Sequence, residues 1–211
     1  MLLIFDFDGV ILDSSADIAN AANYTLEHFG FRRLPNTTIK ALIGHGARDL
    51  VRRSFAEANG QEPFVPENAY DTYLNYYMEN AVVESKLYPN IISTLAALNE
   101  RGDKCAILTN KPEPLTKKIC IQLGIDKYFE YIIGPESLEK MKPNPEGILK
   151  LLAATKVLPS EAMMIGDSDS DIMTGRAAGV KTCAVTYGIG DLDKLLLTKP
   201  DMVIDDAWDL V

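Results

Sequence analysis

Asp6 and Asp8 stand two residues apart behind the apolar run Leu2-Leu3-Ile4-Phe5, and Gly9 follows at once. Alternate residues of an extended chain project to the same side, so carboxylates at this spacing can serve one ligand or one metal ion. The same residues also describe a strand followed by a solvated acidic turn, and the rest of the chain decides between the two. Three further polar clusters trail apolar runs. Thr109-Asn110-Lys111 follows Ala106-Ile107-Leu108, Lys142 lies in Met141-Lys142-Pro143, and Gly166-Asp167-Ser168-Asp169-Ser170-Asp171 follows Met163-Met164-Ile165. Singly, each has a plain structural reading as a helix cap, a surface lysine or a capping turn. Together, in this order, with Lys142 reached from Ile132-Ile133 by a short connection and the others directly behind their runs, they suit one task, the transfer of a phosphoryl group to a carboxylate.

A carboxylate that attacks a phosphate dianion meets strong charge repulsion, which a bridging divalent cation relieves. Asp6, Asp167 and oxygens near Asp8 are hard ligands suited to Mg²⁺. Lys142 neutralises charge on the phosphoryl oxygens, and the Thr109 hydroxyl, with neighbouring groups at Gly9 and Asn110, hydrogen-bonds them. Asp6 is then the nucleophile and forms an aspartyl-phosphate. Asp8 is placed to protonate the leaving alkoxide and to take a proton from the attacking water. Rival motifs fail. Asp167, Asp169 and Asp171 imitate the start of an EF-hand loop, but Ile172 stands where glycine is needed and Ala178 where glutamate is needed. There is no Walker A sequence, G-x-G-x-x-G or G-x-S-x-G.

Such groups need a scaffold that gathers strand ends. Leu2–Phe5 and the short apolar runs at 105–108, 131–133, 163–165, 182–185 and 202–204 read as strands. Helical segments at 91–98, 115–123, 147–154 and 171–178 alternate with several of them. This alternation predicts an α/β fold with a doubly wound parallel-sheet core, whose ligands bind beyond the carboxyl ends of the strands. Between residues 14 and 83 the spacing is helical instead. Ile18, Ala21, Ala22, Leu26 and Phe29 form one stripe, Leu50, Val51 and Phe55 suggest a second, and Tyr70, Tyr73, Leu74, Tyr77 and Met78 form a third. The expected organisation is a core of residues 1–13 and 84–211 with an all-helical cap, residues 14–83, inserted after the first strand and above its carboxyl end.

Bulk properties narrow the function further. The chain has 211 residues, 47% of them hydrophobic, and a formal net charge of −9. Nucleic-acid binding is not expected from so acidic a protein, so any phosphate must be held locally by a few cations. Three widely spaced cysteines, Cys105, Cys120 and Cys183, read as small core residues in a reducing compartment. The apolar N-terminus lacks a basic leader and no run is long enough to span a membrane, which predicts a cytoplasmic protein without membrane contact. The expected partner is a small phosphorylated metabolite, the expected state a monomer or homodimer.

Asp6-Phe7-Asp8-Gly9-Val10 with Thr109-Asn110, Lys142-Pro143 and Gly166-Asp167-Ser168-x-x-Asp171 resembles the haloacid dehalogenase superfamily, over essentially the whole chain. Within it the chain looks like the phosphoglycolate phosphatases with a helical cap. The similar stretches are Leu12-Asp13-Ser14, Ile43-Gly44-His45-Gly46, Thr109-Asn110-Lys111-Pro112, Ala177-Ala178-Gly179 and Tyr187-Gly188. The resemblance implies Mg²⁺ held by Asp6, the main-chain oxygen of Asp8, and Asp167. It makes Asp171 a partner of the metal through water or through another ligand, and 2-phosphoglycolate the leading substrate. Val10 replaces the more usual threonine, and residues 134–142 depart from the phosphoglycolate pattern. The alternatives are a β-phosphoglucomutase-like sugar-phosphate mutase and a non-catalytic phosphate-binding protein. Mutases of that branch typically carry a histidine early in the first cap helix, where this chain reads Ala16-Asp17-Ile18-Ala19-Asn20-Ala21; that favours hydrolysis. Substrate selection is expected from the cap segment Gly44-His45-Gly46-Ala47-Arg48, through His45 or Arg48, and from Lys111.

Overall fold

The computed structural model describes residues 1–60 and 64–211. In chain order the elements are β1 (Leu2–Phe5), β2 (Leu12–Asp13), α1 (Ser15–His28), α2 (Asn36–Lys40), α3 (Ala47–Asn59), α4 (Ala69–Glu79) and β3 (Lys86–Leu87). There follow α5 (Ile91–Glu100), β4 (Lys104–Leu108), α6 (Glu113–Gln122), β5 (Tyr131–Ile133), α7 (Glu146–Thr155) and β6 (Ala162–Gly166). The chain ends with α8 (Asp169–Ala177), β7 (Lys181–Val185), α9 (Leu192–Leu197) and β8 (Met202–Ile204). It divides into two units, Met1–Asp13 with Leu87–Val211, and Ser14–Lys86.

The first unit is an α/β layer structure. Its six strands run in the order β5-β4-β1-β6-β7-β8, every neighbouring pair parallel. β1 is apolar at every position and buried on both faces, as a central parallel strand must be. One face of the sheet presents Leu2, Ile4, Ala106, Leu108, Ala162 and Met164, which pack with Ile148, Leu151 and Leu152 of α7. A smaller cluster joins Ile172, Ala184 and Leu195. The chain builds outward from β1 through β4 to β5, then returns to β6 on the other side of β1. That reversal is a topological switch point, where the loops of neighbouring strands turn away from each other and leave a crevice. The three cysteines are free and buried, and burial pushes each thiol up to about 12, which keeps them protonated and inert.

The second unit is helical, with no strand among its described residues before Lys86. Helix α1 packs against α2, α3 and α4. Tyr73 and Tyr77 of α4 are buried, and Phe29 and Phe31 meet the ring of Phe55 edge-on. The aromatic stripe of α4 is therefore core packing. Buried Asn23 clamps the loop after α1, donating to the Leu34 carbonyl at 3.0 Å and accepting from its N–H at 2.8 Å. Asp17 on α1, also buried, accepts from the main-chain N–H groups of Val83, Glu84 and Ser85 and from the Ser85 hydroxyl. This tie fastens residues 83–85 to α1, within the unit that runs from Ser14 to Lys86.

Two short helices carried no clear periodic signal. Helix α2 has five residues and α9 has six. Fewer than two turns leave too little pattern to read.

Candidate active site

Parallel register brings the polar clusters together. Phe5 pairs with Ile107 of β4 and with Ile165 of β6, so Asp6, Thr109 and Asp167 emerge from the carboxyl ends of three adjacent strands. The Asp6 main-chain N–H donates to the Ile165 carbonyl at 2.9 Å, which carries the pairing to the last residue before the turn. Asp6 and Asp167 therefore flank the switch point from opposite sides.

Lys142 stands at the centre. Its Nζ lies 2.9 Å from Asp6 Oδ1 and 2.6 Å from Asp171 Oδ1, with only 3% of its side chain exposed. The loop holding it is pinned by Asn110, whose carboxamide accepts from the Lys142 N–H at 3.1 Å and donates to the Lys142 carbonyl at 3.3 Å. Asn110 thus fixes the lysine's main chain, a job its position beside Thr109 had not disclosed. The second oxygen of Asp171 accepts from the Ser168 N–H at 3.1 Å and hydroxyl at 2.6 Å, closing a capping box at the start of α8. Both Asp171 oxygens are thereby engaged, one orienting Lys142 and the other the helix.

Asp167 is held from the opposite direction. Its Oδ2 accepts from the main-chain N–H groups of Ile189 at 2.8 Å and Gly190 at 2.9 Å. The approach is so close that side chains are forbidden around it. A Cβ on Gly9 would lie 1.9 Å from Asp167 Oδ2, and one on Gly188 2.3 Å from the Asp167 Cβ. Gly9 also has φ +88°, a backbone that residues with a Cβ resist. The loop 188–190 was not singled out as part of the site from the sequence. Its signal was the alternation Gly188-Ile189-Gly190 soon after the apolar run of β7.

Carboxylate oxygens of Asp6, Asp167 and Asp171 lie within 4.8 Å of one another. Three carboxylates, Asp167 and Asp171 buried and Asp6 partly so, against the single ammonium of Lys142 leave a surplus of negative charge. Burial, helped by Asp171 and Asp167 against the pull of Lys142, pushes the Asp6 carboxyl up to about 7. Burial and Asp171 push Asp167 up to about 6, although the N–H groups of Gly190 and Ile189 oppose this. Burial alone would lower Lys142; Asp171 and Asp6 outweigh it and hold the ammonium above its ordinary range. Hard oxygen donors crowded in this way suit a divalent cation, which would return both raised carboxyls to their ionised form.

Asp8 takes different company. Lys111 Nζ reaches its Oδ1 at 2.9 Å and Oδ2 at 3.3 Å, and the lysine side chain is 3% exposed. Thr109, buried at the end of β4, accepts the Lys111 N–H on its hydroxyl at 3.1 Å. The Tyr88 ring meets that of Tyr187 at a tilt, 4.8 Å between centroids, and the Tyr187 hydroxyl donates to the Val10 carbonyl. The remaining expected contacts, His45 and Arg48, belong to the helical unit. His45 lies between α2 and α3, and the Arg48 guanidinium sits 3.9 Å over the ring of Tyr70.

This constellation can present a carboxylate nucleophile, a fixed ammonium and a cation-binding cluster to one phosphoryl group. Comparison with known proteins points the same way. Residues 3–185 match the profile of the haloacid dehalogenase-like hydrolases. The chain belongs to that family. It is 35% identical to the phosphoglycolate phosphatase of Aquifex aeolicus, across all of this chain and 94% of that protein. It is 36% identical to the phosphoglycolate phosphatase of Neisseria gonorrhoeae, across 95% of this chain and 87% of that one. The crystal structure of a predicted phosphoglycolate phosphatase from Haemophilus somnus superposes with a TM-score of 0.92 at 31% identity, covering 99% of this chain and 95% of the other. This hydrolase is a phosphatase. No described helix is long and apolar enough to cross a membrane.

Proposed function

We propose that the protein is a Mg²⁺-dependent phosphomonoesterase that acts through an aspartyl-phosphate on Asp6, with 2-phosphoglycolate as its substrate. The observation that carries this reading is the contact of Lys142 with both Asp6 and Asp171, within the cluster that Asp167 completes. Asp6, Asp167 and the main-chain oxygen of Asp8 would hold the cation, which supplies charge neutralisation between the attacking carboxylate and the phosphate dianion. Lys142 keeps Asp6 in one rotamer and offers its remaining N–H groups to the phosphoryl oxygens, assisted by Thr109 and the main chain of the strand ends. Asp6 attacks phosphorus while Asp8 gives a proton to the leaving oxygen. Asp8 then takes a proton from the water that cleaves the acyl phosphate and frees Asp6. The substrate assignment is supported by the names of the full-length relatives.

A phosphate-release screen over small phosphomonoesters in Mg²⁺ tests the proposal. Turnover of 2-phosphoglycolate should exceed that of the other esters, and Asp6→Asn should lower it at least about 10³-fold with the far-ultraviolet circular dichroism unchanged. Full activity in Asp6→Asn would refute the nucleophile assignment. Conversion of β-glucose 1-phosphate to glucose 6-phosphate without free phosphate would move the protein to the mutases.

A further inference from the structure

The site contains two buried ammonium groups, and phosphoryl transfer to Asp6 uses only one. Lys142 serves the nucleophile. Lys111 is as deeply buried, yet it sits on Asp8, at 2.9 Å and 3.3 Å from the two carboxylate oxygens. A buried lysine is costly to keep without a reason, since a methionine would fill a similar volume with no charge to pair.

We infer that Lys111 selects the substrate: it recognises a phosphomonoester that carries an anionic group on the carbon next to the ester oxygen. The inference rests on the phosphatase reading and on the role of Asp8 within it. If Asp8 protonates the leaving oxygen, that oxygen comes within about 3 Å of its carboxylate. Lys111 Nζ lies 2.9 Å from the same carboxylate, so substituents one carbon beyond the ester oxygen fall within its reach. Asp8 keeps 14% of its side chain exposed while Lys111 keeps 3%. Asp8 is thus the more exposed member of the pair. The ammonium already contacts both Asp8 oxygens, so a substrate carboxylate can take the place of one of them. A substrate without that second anion leaves Lys111 committed to Asp8 and gains nothing from it. The Lys111 main chain is fixed as well, through the bond from its N–H to the Thr109 hydroxyl, so the probe for the anion hangs from the same loop that meets the phosphate.

The test compares 2-phosphoglycolate with ethyl phosphate, which has the same ester but no carboxylate, in the wild type, Lys111→Met and Lys111→Arg. The wild type should prefer 2-phosphoglycolate about 100-fold or more in kcat/KM, the scale of a buried charge pair. Lys111→Met should bring that ratio to within about 5-fold, through loss on 2-phosphoglycolate, and Lys111→Arg should restore an intermediate value. Equal losses on both substrates in Lys111→Met, with the ratio preserved, would overturn the inference and leave Lys111 as a support for Asp8 alone. A ratio that collapses in His45→Ala or Arg48→Ala but survives in Lys111→Met would also overturn it. Should Lys111→Met fail to fold, the wild type still decides, because equal turnover of the two esters contradicts selection by charge. A wild type that hydrolyses neither ester in Mg²⁺ fails at the phosphatase reading instead, and the inference falls with it.

Discussion

Asp17 in the helical unit and Asp167 in the sheet unit are buried to nearly the same depth, at 3% and 4% exposure, and both are cradled by main-chain N–H groups. They differ in what completes them. Asp17 is saturated by neutral donors on both oxygens. Glu84 N–H reaches Oδ1 at 3.0 Å, while Val83 N–H at 3.0 Å, Ser85 N–H at 2.9 Å and the Ser85 hydroxyl at 2.6 Å reach Oδ2. Asp167 receives both of its described donors on Oδ2, and it shares its surroundings with the carboxylates of Asp6 and Asp171 and the Lys142 ammonium. The first arrangement meets the cost of burying a charge within the chain itself. The second uses two hydrogen bonds for orientation and would leave the charge surplus to a cation. On the proposed reading, a complete cradle of N–H groups goes with a structural carboxylate, and a one-sided cradle with a carboxylate that would hold a metal ion.

Breaking the complete cradle should have the largest effect on the fold. Asp17→Ala strands three N–H groups and a hydroxyl, at a cost of about 3 kcal/mol. Native-state hydrogen exchange reads this directly, as an acceleration of about 100-fold at the Val83, Glu84 and Ser85 amides. Exchange rates that stay at the wild-type level would show that the tie is ornamental, and the contrast with Asp167 would lose its structural half.

The one-sided cradle should respond to the cation instead. At Mg²⁺ about 100 times its dissociation constant, the folded state gains about 2.7 kcal/mol, visible as a rise in Tm. Asp167→Asn should abolish that rise and leave the metal-free protein at least as stable as the wild type, since the substitution removes one of three crowded charges. A variant that keeps the full Mg²⁺-dependent shift would exclude Asp167 from the metal site.

The difference between the two cradles also explains what could be read from the chain. The grouping of Asp6, Asp8, Thr109 and Asp167 at strand ends was legible because these residue types stand directly behind apolar runs, and that of Lys142 because it follows Ile132-Ile133 after a short connection. The parallel sheet was legible because its strands are short, apolar and separated by helices with a clear stripe. Asp17 carried no such mark. Its partners lie 66 to 68 positions away and offer main-chain groups, which every residue possesses. The pairing of Lys111 with Asp8 spans 103 positions, and Asn110 reaches the main chain of Lys142 across 32. Contacts made by the backbone, or closed across long separations, leave no local pattern.

Gly190 offers the finest cut, because it alters the orientation of Asp167 without touching its charge. Its N–H donates to Asp167 Oδ2, and a Cβ at this position would lie 2.2 Å from the Asp167 main-chain oxygen. Gly190→Ala must therefore push the loop away from Asp167, and the hydrogen bond lengthens with it. Groups that orient a metal ligand are worth about 10- to 100-fold in affinity. Only one of the two donors is disturbed, so the lower end applies. Titration calorimetry should show Mg²⁺ binding weakened by about 10-fold, or about 1.4 kcal/mol. In the wild type, Mg²⁺ should also shift the amide resonances of Ile189 and Gly190 more than those of Val83 to Ser85. The first pair donates to a carboxylate whose charge the cation shares, while the second group donates to one that is already satisfied. Equal perturbation of the two sets, or unchanged affinity in Gly190→Ala, would mean that one-sidedness does not distinguish a metal-binding carboxylate from a structural one.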